Sequence, residues 1–232
     1  MNILVPMAGA GVRLAKAGYN LPKPLVQVNG RSLIEIAYES WGLEGKYIFV
    51  VQESHDQQFD FQRILSNFVE DFTIIRTSGL TQGAACTALL AEEYVDNEEE
   101  LVIAVVDVYN KIPKKPWSNV ACDGVIFVTE SQSPIFSYAK VDDESFVAEV
   151  AEKKVISKFA TSGIYHWAHG CDFVKYAKQM ISKNVRTNNE FYICPVYNEA
   201  IADGKKFVVV PVDEMYDLGT HENIQIFTEK FT

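Results

Sequence analysis

Short apolar runs alternate with amphipathic segments along the first 110 residues of the chain. Four apolar runs predict strands: NILVPM, KYIFVVQ, FTIIRT and LVIAVV. Three segments between them predict helices: SLIEIAYESWGL, with Ser32 as its N-cap, HDQQFDFQRILSNF and GAACTALLAEEY. Strands that alternate with helices at this spacing indicate βαβ units and a parallel sheet. Because LVIAVV is apolar at every position, we expect it to be covered on both faces.

From about residue 111 the pattern becomes richer in strands. A turn-rich connection, KIPKKPWSN, precedes four strand-like runs: DGVIFVTE, FSYAKVDD, FVAEVAE and ATSGIYHW. The rest of the chain predicts a helix (CDFVKYAKQMIS), the polar tract RTNNEF, another helix, the strand KKFVVVPV and a last helix after GTHEN. No repeat, low-complexity segment or long linker interrupts the pattern. The sequence therefore predicts one α/β domain over residues 1–232.

Composition and charge exclude several classes of partner. The 232 residues are 48% hydrophobic and 22% charged, with a formal net charge of -10. An acidic chain has no general attraction for nucleic acid or anionic lipid, so any cation that binds phosphate must be placed locally. No run approaches the roughly 18 apolar residues of a membrane helix, and MNILVPMAG lacks the basic start of a signal peptide. We expect a cytoplasmic protein without nucleic-acid or membrane partners.

The cysteines and histidines show no pattern of a metal or redox site. Cys86, Cys122, Cys171 and Cys194 have neither CxxC spacing nor a histidine at a zinc interval, which predicts buried free thiols. His166 and His169 form an H-x-x-H pair after a predicted strand. Without a nearby acid, this pair is expected to lie on the surface rather than to bind metal.

The stretch MAGAGVRLAKAGYNLPKP, residues 7–24, carries the first candidate chemistry. Gly9 and Gly11 allow backbone N–H groups to approach an anion. Arg13 adds a fork of donors suited to phosphate oxygens, and two flanking prolines fix the backbone of Lys23. The pattern is neither GxGxxG nor GxxxxGK[ST], which excludes dinucleotide and P-loop sites. A turn with two surface cations explains GxGxR alone, whereas GxGxR followed by PKP favours a triphosphate-binding loop.

Two further features follow predicted strands. Gly83 precedes a helix, and Asp107 ends the run LVIAVV. In open α/β sheets, ligands bind outside the carboxyl ends of the strands, so both residues are expected near the first loop. A buried carboxylate needs a cationic partner. A helix cap or a turn explains Asp107 equally simply at this point.

MAGAGVR followed by LPKPL resembles the signature of the nucleotidyltransferase (nucleoside-diphosphate-sugar pyrophosphorylase) family, and the resemblance extends over nearly the whole chain. It implies a Rossmann-like (GT-A-like) three-layer α/β sandwich with a mostly parallel central sheet and a small strand-rich acceptor-binding part. It also implies a nucleotide-binding half, 1–110, and an acceptor-binding half, 111–232. Arg13 and Lys23 would have catalytic roles on the triphosphate. The loop residues implied to bind nucleotide are Met7, Ala8, Gly9, Ala10, Gly11 and Val12.

The resemblance also implies a Mg²⁺ site and a base-binding segment. Asp107 and Asp217 would hold the metal, since MYDLGTHEN is similar to the family's D-x-G-T turn. Two carboxylates with phosphate oxygens and waters are a normal Mg²⁺ environment. Relatives usually carry a polar residue after the first aspartate, where this chain has Val108-Tyr109. In TQGAACTALL, the resemblance assigns Gln82, Gly83 and Ala84 to the base, although tight helix packing explains the same small residues.

The acceptor side is implied by two tracts of the second half. EVAEKK followed by ATSGIYHW is similar to the family's E-K segment and T-G-x-Y strand. The corresponding residues are Glu152, Lys153, Gly163 and Tyr165, with Lys153 catalytic on the acceptor phosphate. Relatives often have proline where this chain has Lys154, which leaves open which lysine acts. Asn189 and Glu190 would border the acceptor pocket at the start of a helix, and a simple N-cap pair is the alternative.

The predicted reaction is a Mg²⁺-dependent transfer of a nucleotidyl group from an NTP to a phosphorylated small molecule, with release of pyrophosphate. The chain is most similar to small cytidylyltransferases encoded with bacterial capsular-polysaccharide genes, such as CTP:phosphoglutamine cytidylyltransferases, which favours CTP weakly. A nucleotide-sugar-dependent glycosyltransferase and a catalytically silent nucleotide-binding relative remain as alternatives. The base, the acceptor and the question of a homo-oligomer stay open.

Overall fold

A computed structural model describes residues 1–113 and 122–231. Its strands are β1 (Asn2–Pro6), β2 (Gln27–Val28), β3 (Arg31–Ser32), β4 (Lys46–Gln52), β5 (Phe72–Thr77), β6 (Leu101–Ala104), β7 (Val108–Lys111), β8 (Gly124–Glu130), β9 (Ser137–Val141), β10 (Val147–Glu152), β11 (Phe159–Trp167), β12 (Phe207–Pro211) and β13 (Glu214–Asp217). Its helices are α1 (Val12–Lys16), α2 (Leu33–Trp41), α3 (Glu53–Phe59), α4 (Phe61–Leu65), α5 (Ala84–Leu89), α6 (Glu92–Val95), α7 (Gly170–Ser182), α8 (Val196–Ala202) and α9 (His221–Lys230).

Within the described residues, nine strands form one central sheet with helices on both sides. The order β10-β9-β11-β6-β1-β4-β5 forms its main path, and β8 joins β11 to β12. The strands β6, β1, β4 and β5 are parallel, which confirms the prediction for the first half. In the second half β11 runs antiparallel to β6, β8 and β9. The strands β8 to β12 therefore extend the parallel sheet of the first half of the chain.

Both faces of the central strands are buried, as the apolar runs predict. Along β1, Leu4 packs in one hydrophobic cluster, while Ile3 and Val5 pack in the cluster on the opposite face. The side chains of β6 also point to both faces, and Leu101 and Ile103 pack in the same cluster as Leu4. A strand covered on two sides needs apolar residues at successive positions, not at alternate ones.

Three predicted elements are shorter than their sequence pattern indicates. The segment HDQQFDFQRILSNF contains two helices, because Asp60 adopts a left-handed conformation (φ 55°) and caps α4 by accepting a hydrogen bond from the Arg63 N–H. The segment GAACTALLAEEY also divides, into α5 and α6. The run LVIAVV is a strand only to Ala104, and the chain turns at Val106 and Asp107 before β7. The connection KIPKKPWSN falls mostly on residues 114–121, outside the described residues.

A small two-stranded ladder returns the last part of the chain to the end of β6. The strand β13 pairs antiparallel with β7, which brings Asp217 opposite Val108. The Leu218 N–H donates to the Asp107 carbonyl at 2.6 Å. Leu218 also packs in a third hydrophobic cluster with residues of α1 and α9. None of the helices in the described ranges is long and apolar enough to span a bilayer.

Candidate active site

The loop after β1 places its two glycines in different surroundings. Gly11 is left-handed (φ 60°), and an added Cβ would lie 3.1 Å from the Lys23 Cβ. Gly9 has no atom within 4 Å of such a Cβ, so its face is open. The Gln52 amide donates to the carbonyls of Ala8 and Gly9 at 3.0 and 3.3 Å, which fixes the loop from behind. Gly11 therefore allows the loop to approach the lysine segment, while Gly9 leaves space for a ligand.

Two cations of this loop region meet on Asp107. The Lys23 ammonium donates to Asp107 Oδ2, and the Arg13 guanidinium lies 3.6 Å from the same oxygen. The Asp107 side chain is only 14% exposed. Burial alone would raise the pKa of Asp107, but the neighbouring Lys23 and Arg13 charges hold it below its ordinary value. Asp107 is therefore ionised and balanced by charge.

Asp217 lies beside Asp107 at the end of the β7–β13 ladder. Its two oxygens accept hydrogen bonds from the Gly219 N–H at 3.0 Å and the Asn223 amide at 2.6 Å. Burial and the nearby negative charge of Asp107 raise the pKa of Asp217. A carboxyl group with this environment gains from a cation placed between the two acids.

The space between the two acids depends on Gly219. A Cβ added there would lie 3.0 Å from Asp107 Oδ2, 3.0 Å from Asp217 Oδ1 and 2.9 Å from Arg13. The two carboxylates thus converge on a space that is present because residue 219 lacks a side chain. Across residues 1–113 and 122–231, no group of three or more His, Cys, Asp or Glu could hold a metal ion. The pair fits a Mg²⁺-like cation that takes its remaining ligands from phosphate and water.

The predicted base-binding segment is joined by its backbone to the tract after α7. Gly83 has φ 135°, and an added Cβ would lie 2.5 Å from the Phe191 nitrogen and oxygen. The Phe191 N–H donates to the Gln82 carbonyl at 2.9 Å, and the Ala85 N–H donates to the Phe191 carbonyl at 2.9 Å. The glycine therefore has a structural reason, close backbone contact, in addition to any role with a base.

The predicted acceptor residues lie around the ends of β10 and β11. Glu152 accepts a hydrogen bond from the Ser137 hydroxyl, and burial raises its pKa. Lys153 has φ 54°, and its ammonium donates to the Tyr192 hydroxyl. The Tyr165 hydroxyl, which is largely buried, shares a 3.0 Å hydrogen bond with Thr161. An added Cβ at Gly163 would contact the Val105 side chain.

Two adjoining cavities bring all of the predicted site residues together. A cavity of about 720 Å³, the larger cavity, is lined by Val12, Arg13, Glu152, Lys153, Gly163, Tyr165 and Asp217. A cavity of about 400 Å³, the smaller cavity, is lined by Met7, Ala8, Gly9, Gln82, Gly83 and Asn189. The residues shared by both are Ala10, Gly11, Lys23, Ala84, Val105, Asp107 and Glu190. Lys154 lines neither cavity, whereas Lys153 lines the larger one.

The asparagine tract differs from its prediction. Thr187 and Glu190 bond each other's backbones in a tight turn, at 3.1 and 2.9 Å, and Asn188 and Asn189 are both left-handed. The following helix, α8, begins only at Val196. The N-cap alternative for Asn189 and Glu190 is therefore wrong. Paired asparagines tolerate the left-handed conformation that such a turn requires.

Other residues were missed or misplaced by the sequence analysis. His166 lies inside β11 and is 4% exposed, so the prediction of a surface pair with His169 is wrong for it. All four cysteines are free thiols, but only Cys194 is buried. Four residues outside the predicted set contact predicted site residues: Ser137, Arg186, Tyr192 and Gly219. Only Gly219 carries a sequence signal, as the glycine of the D-x-G-T turn.

A glycine-containing loop after β1, two cations and two converging carboxylates lie together at one edge of an α/β sheet, an arrangement suited to a phosphorylated ligand and a cation. The model of the nucleotidyl transferase family matches residues 3–231. The chain therefore belongs to the nucleotidyl transferase family, and the family and enzyme class predicted from the sequence are confirmed. Members of this family generally use a divalent metal ion.

Solved structures share the fold over nearly the whole chain. A nucleoside-diphosphate-sugar pyrophosphorylase from Vibrio cholerae RC9 superposes with a TM-score of 0.87 at 24% identity, covering 98% of this chain and 99% of that one. UDP-glucose pyrophosphorylase complexed with UDP-glucose gives 0.78 at 16% identity, with 99% and 97% covered. The inositol-1-phosphate CTP transferase from T. maritima gives 0.75 at 16%, with 98% and 93% covered. A search of curated proteins found no match.

These structural matches confirm the predicted α/β, Rossmann-like sandwich. At identities of 24% and 16% they establish the fold alone. The substrates must therefore be argued from the residues of this chain.

Proposed function

We propose that the protein is a Mg²⁺-dependent nucleotidyltransferase that joins an NTP to a phosphorylated small molecule and releases pyrophosphate. One observation carries this proposal: Lys23 and Asp107 lie on the wall shared by the two cavities. A nucleotide in the smaller cavity and an acceptor in the larger one would meet at that wall. We assign the nucleotide mainly to the half 1–110 and the acceptor mainly to the half 111–232, although Arg13 lines the larger cavity and Asn189 the smaller one.

On the nucleotide side, Gly9, Gly11, Arg13 and Lys23 bind the triphosphate. Arg13 and Lys23 both rest on Asp107 in the free protein. When phosphate enters, these cations can exchange the carboxylate for phosphate oxygens and neutralise the pyrophosphate leaving group. Asp107 and Asp217 would hold Mg²⁺, which would supply additional positive charge to the phosphates.

On the acceptor side, Lys153 binds the acceptor phosphate. Its ammonium has only the neutral Tyr192 hydroxyl as a hydrogen-bond partner among the described residues, so a phosphate dianion would be a stronger partner. One acceptor oxygen forms a bond to the α-phosphorus, and the bond from that phosphorus to pyrophosphate breaks. Because the second pKa of a phosphate ester is about 6, the acceptor is already ionised at neutral pH. No general base is needed, and none of the four histidines lines either cavity.

The remaining acceptor contacts are polar. Glu152 and Glu190 line the larger cavity and suit the hydroxyl or amino groups of a sugar 1-phosphate or a phosphoamino acid. Gly163 and Tyr165 form its wall, while Asn189 faces the smaller cavity instead. We propose CTP as the nucleotide. We also propose a cytoplasmic role in the synthesis of bacterial surface or capsular polysaccharide, without nucleic-acid or membrane partners and compatible with a homo-oligomer.

A matrix of NTPs and acceptors, scored by released pyrophosphate, tests the proposal. CTP, UTP, ATP, GTP and dTTP are each combined with sugar 1-phosphates, phosphocholine and phosphoamino acids in the presence of Mg²⁺. We expect release with one NTP and one acceptor together, and none after chelation of the metal. Transfer of sugar from a nucleotide-sugar, without release of pyrophosphate from any NTP, would identify a glycosyltransferase instead. Nucleotide binding without any turnover would identify a silent relative.

A further inference from the structure

We propose that Arg186 is a positioning residue that orients the Gln82 carboxamide toward the nucleotide base and thereby selects cytosine over uracil. Arg186 lies in the tract after α7, on the acceptor half of the chain, while Gln82 lies in the base-binding segment before α5. The inference rests on the proposed function, because it assigns the base that the proposed nucleotide site reads.

Arg186 is held on several sides. Its Nε donates to Asn184 Oδ1 at 2.7 Å, and one terminal nitrogen donates to the Asn189 carbonyl at 3.0 Å. Its guanidinium carbon lies 3.8 Å from the centre of the Phe191 ring. The other terminal nitrogen donates to Gln82 Oε1 at 2.5 Å. A planar guanidinium that is stacked on a ring and fixed by two acceptors has little freedom left, so it presents a rigid donor to Gln82.

This contact fixes which end of the Gln82 amide faces the ligand. A guanidinium carries donors and no acceptor, so the carboxamide must turn its oxygen toward Arg186. Its NH₂ group is then the part left for the smaller cavity, which Gln82 lines. No residue described by the structure accepts a hydrogen bond from this NH₂ group. The site therefore offers a hydrogen-bond donor to the base.

The backbone prevents the two partners from moving apart. The Gln82 carbonyl accepts from the Phe191 N–H, and the Phe191 carbonyl accepts from the Ala85 N–H, both at 2.9 Å. The closeness of Gly83 to the Phe191 backbone leaves no room for a side chain between them. The ring that supports Arg186 thus belongs to the residue whose backbone holds the Gln82 segment.

A donor on this wall distinguishes the two pyrimidines at ring position 3. Cytosine has an unprotonated N3 that accepts a hydrogen bond, whereas uracil carries an N–H donor there. Two donors that face each other cannot form a hydrogen bond, so UTP would lack the contact that CTP makes. If the Gln82 amide could rotate, its oxygen could accept from uracil instead. Arg186 prevents that rotation, and the locked amide favours CTP over UTP.

The experiment compares wild type with Arg186→Met, Gln82→Ala and the double variant, using CTP, UTP and ribose 5-triphosphate, which has no base. Binding of each compound is measured by calorimetry, and KM and kcat by pyrophosphate release. We expect Arg186→Met to raise the KM for CTP by up to about 10-fold, since the neutral hydrogen bond from the Gln82 NH₂ group to the base is weakened, with kcat within about 3-fold and the CTP/UTP preference close to 1. Gln82→Ala should have the same effect, and the double variant no more than either single one. Binding of ribose 5-triphosphate should not change.

Matched controls separate positioning from loss of structure. Arg63→Met removes an exposed arginine that pairs with Asp60 away from the two cavities, and it should leave all parameters unchanged. Arg186→Lys keeps the charge but not the fork, so it should lose selectivity while it keeps the wild-type melting temperature.

Two results would overturn the inference. One is weaker binding of ribose 5-triphosphate or of the acceptor by Arg186→Met. The other is additivity of the effects of Arg186→Met and Gln82→Ala. A wild type that binds CTP and UTP with the predicted preference but releases no pyrophosphate would overturn the proposed function and leave the inference supported by the binding data.

Discussion

The two sides of the candidate site use their lysines differently. On the side proposed for the nucleotide, Lys23 rests on the carboxylate of Asp107, a partner of opposite charge. On the acceptor side, Lys153 rests on the hydroxyl of Tyr192, a neutral partner. A ligand phosphate must compete with a carboxylate on the first side and only with a phenol on the second. The comparison indicates that the charge of Lys23 is balanced by Asp107 before substrates bind. The charge of Lys153 has no carboxylate within ion-pair distance among the described residues.

The largest expected effect is on the nucleotide side. Lys23→Ala should lower kcat by about 100-fold or more, because a donor that stabilises the leaving group is lost. Asp107→Ala should have an effect of similar size, with the fold intact in both variants. Steady-state pyrophosphate release and circular dichroism measure the two parts of this expectation. The exposed Lys16 on α1 supplies the control, and Lys16→Ala should match wild type. Near wild-type turnover of Lys23→Ala would remove Lys23 from the mechanism.

A smaller effect is expected on the acceptor side. Lys153→Ala should reduce kcat/KM for the acceptor by about 30-fold, since a charge-assisted hydrogen bond to phosphate is worth ~1.5–3 kcal/mol. Its effect on nucleotide binding should be slight. Lys154→Ala is the matched control, because its neighbour lines the larger cavity and Lys154 does not. Equal losses in the two variants would show that net charge, not position, matters there.

The space between Asp107 and Asp217, where we propose that the metal ion binds, can be changed without replacing a charged residue. Gly219→Ala would place a methyl group about 3 Å from both carboxylates and Arg13. Because the neighbouring groups must shift, we expect Mg²⁺-dependent CTP binding to weaken about 10-fold, or ~1.4 kcal/mol, with little change in melting temperature. Calorimetric titration with and without Mg²⁺ measures this. Gly79→Ala, at a site with open space, is the control. Unchanged binding by Gly219→Ala would mean that the cation lies elsewhere.

The smallest effect concerns stability and pH. Burial raises the pKa of Glu152, so the folded protein binds this proton more readily than the unfolded chain does. The contribution of Glu152 to stability is therefore fully present at acid pH and is lost as pH rises through the raised pKa. Glu152→Gln should be more stable than wild type at pH 8 by up to about 1 kcal/mol and equal to it near pH 4.

Urea unfolding at the two pH values measures this difference. The groups that face Glu152 are Ser137, Lys153, Glu190, Tyr165 and Cys194. Of these, only Lys153 favours the ionised form by its charge. A variant that is less stable than wild type at pH 8 would show that Lys153 and Ser137 outweigh the cost of burial.

Much of the fold follows from local sequence. Apolar runs identify β1, β4 and β6 because a strand buried on both faces needs continuous apolar residues. The run of β5 also identifies a strand, although β5 is a partly exposed edge strand. Ser32 caps α2 as predicted, with its hydroxyl accepting from the Glu35 N–H at 3.4 Å. The helix break at Asp60 was missed, because a single left-handed residue ends a helix without disturbing the apolar pattern. The break after α5 was also missed, and there Leu90 (φ -65°) and Ala91 (φ -91°) are not left-handed.

The candidate site was predictable where chemistry coincides with a motif. Arg13, Lys23, Asp107 and Asp217 stand in recognisable patterns, and each lines at least one of the two cavities. Arg186 could not be found in this way, because its role depends on a partner 104 positions away. The nearness of Phe191 to Gly83 is a tertiary contact that the sequence pattern does not contain.

The ladder formed by β7 and β13 is separate from the nine-stranded sheet, and Asp217 is its last residue, with Asp107 immediately before its first. Short two-stranded pairings open at lower free-energy cost than a packed central sheet. A substitution that loosens this ladder would therefore separate the two acids and lower activity, while the nine-stranded sheet keeps its register.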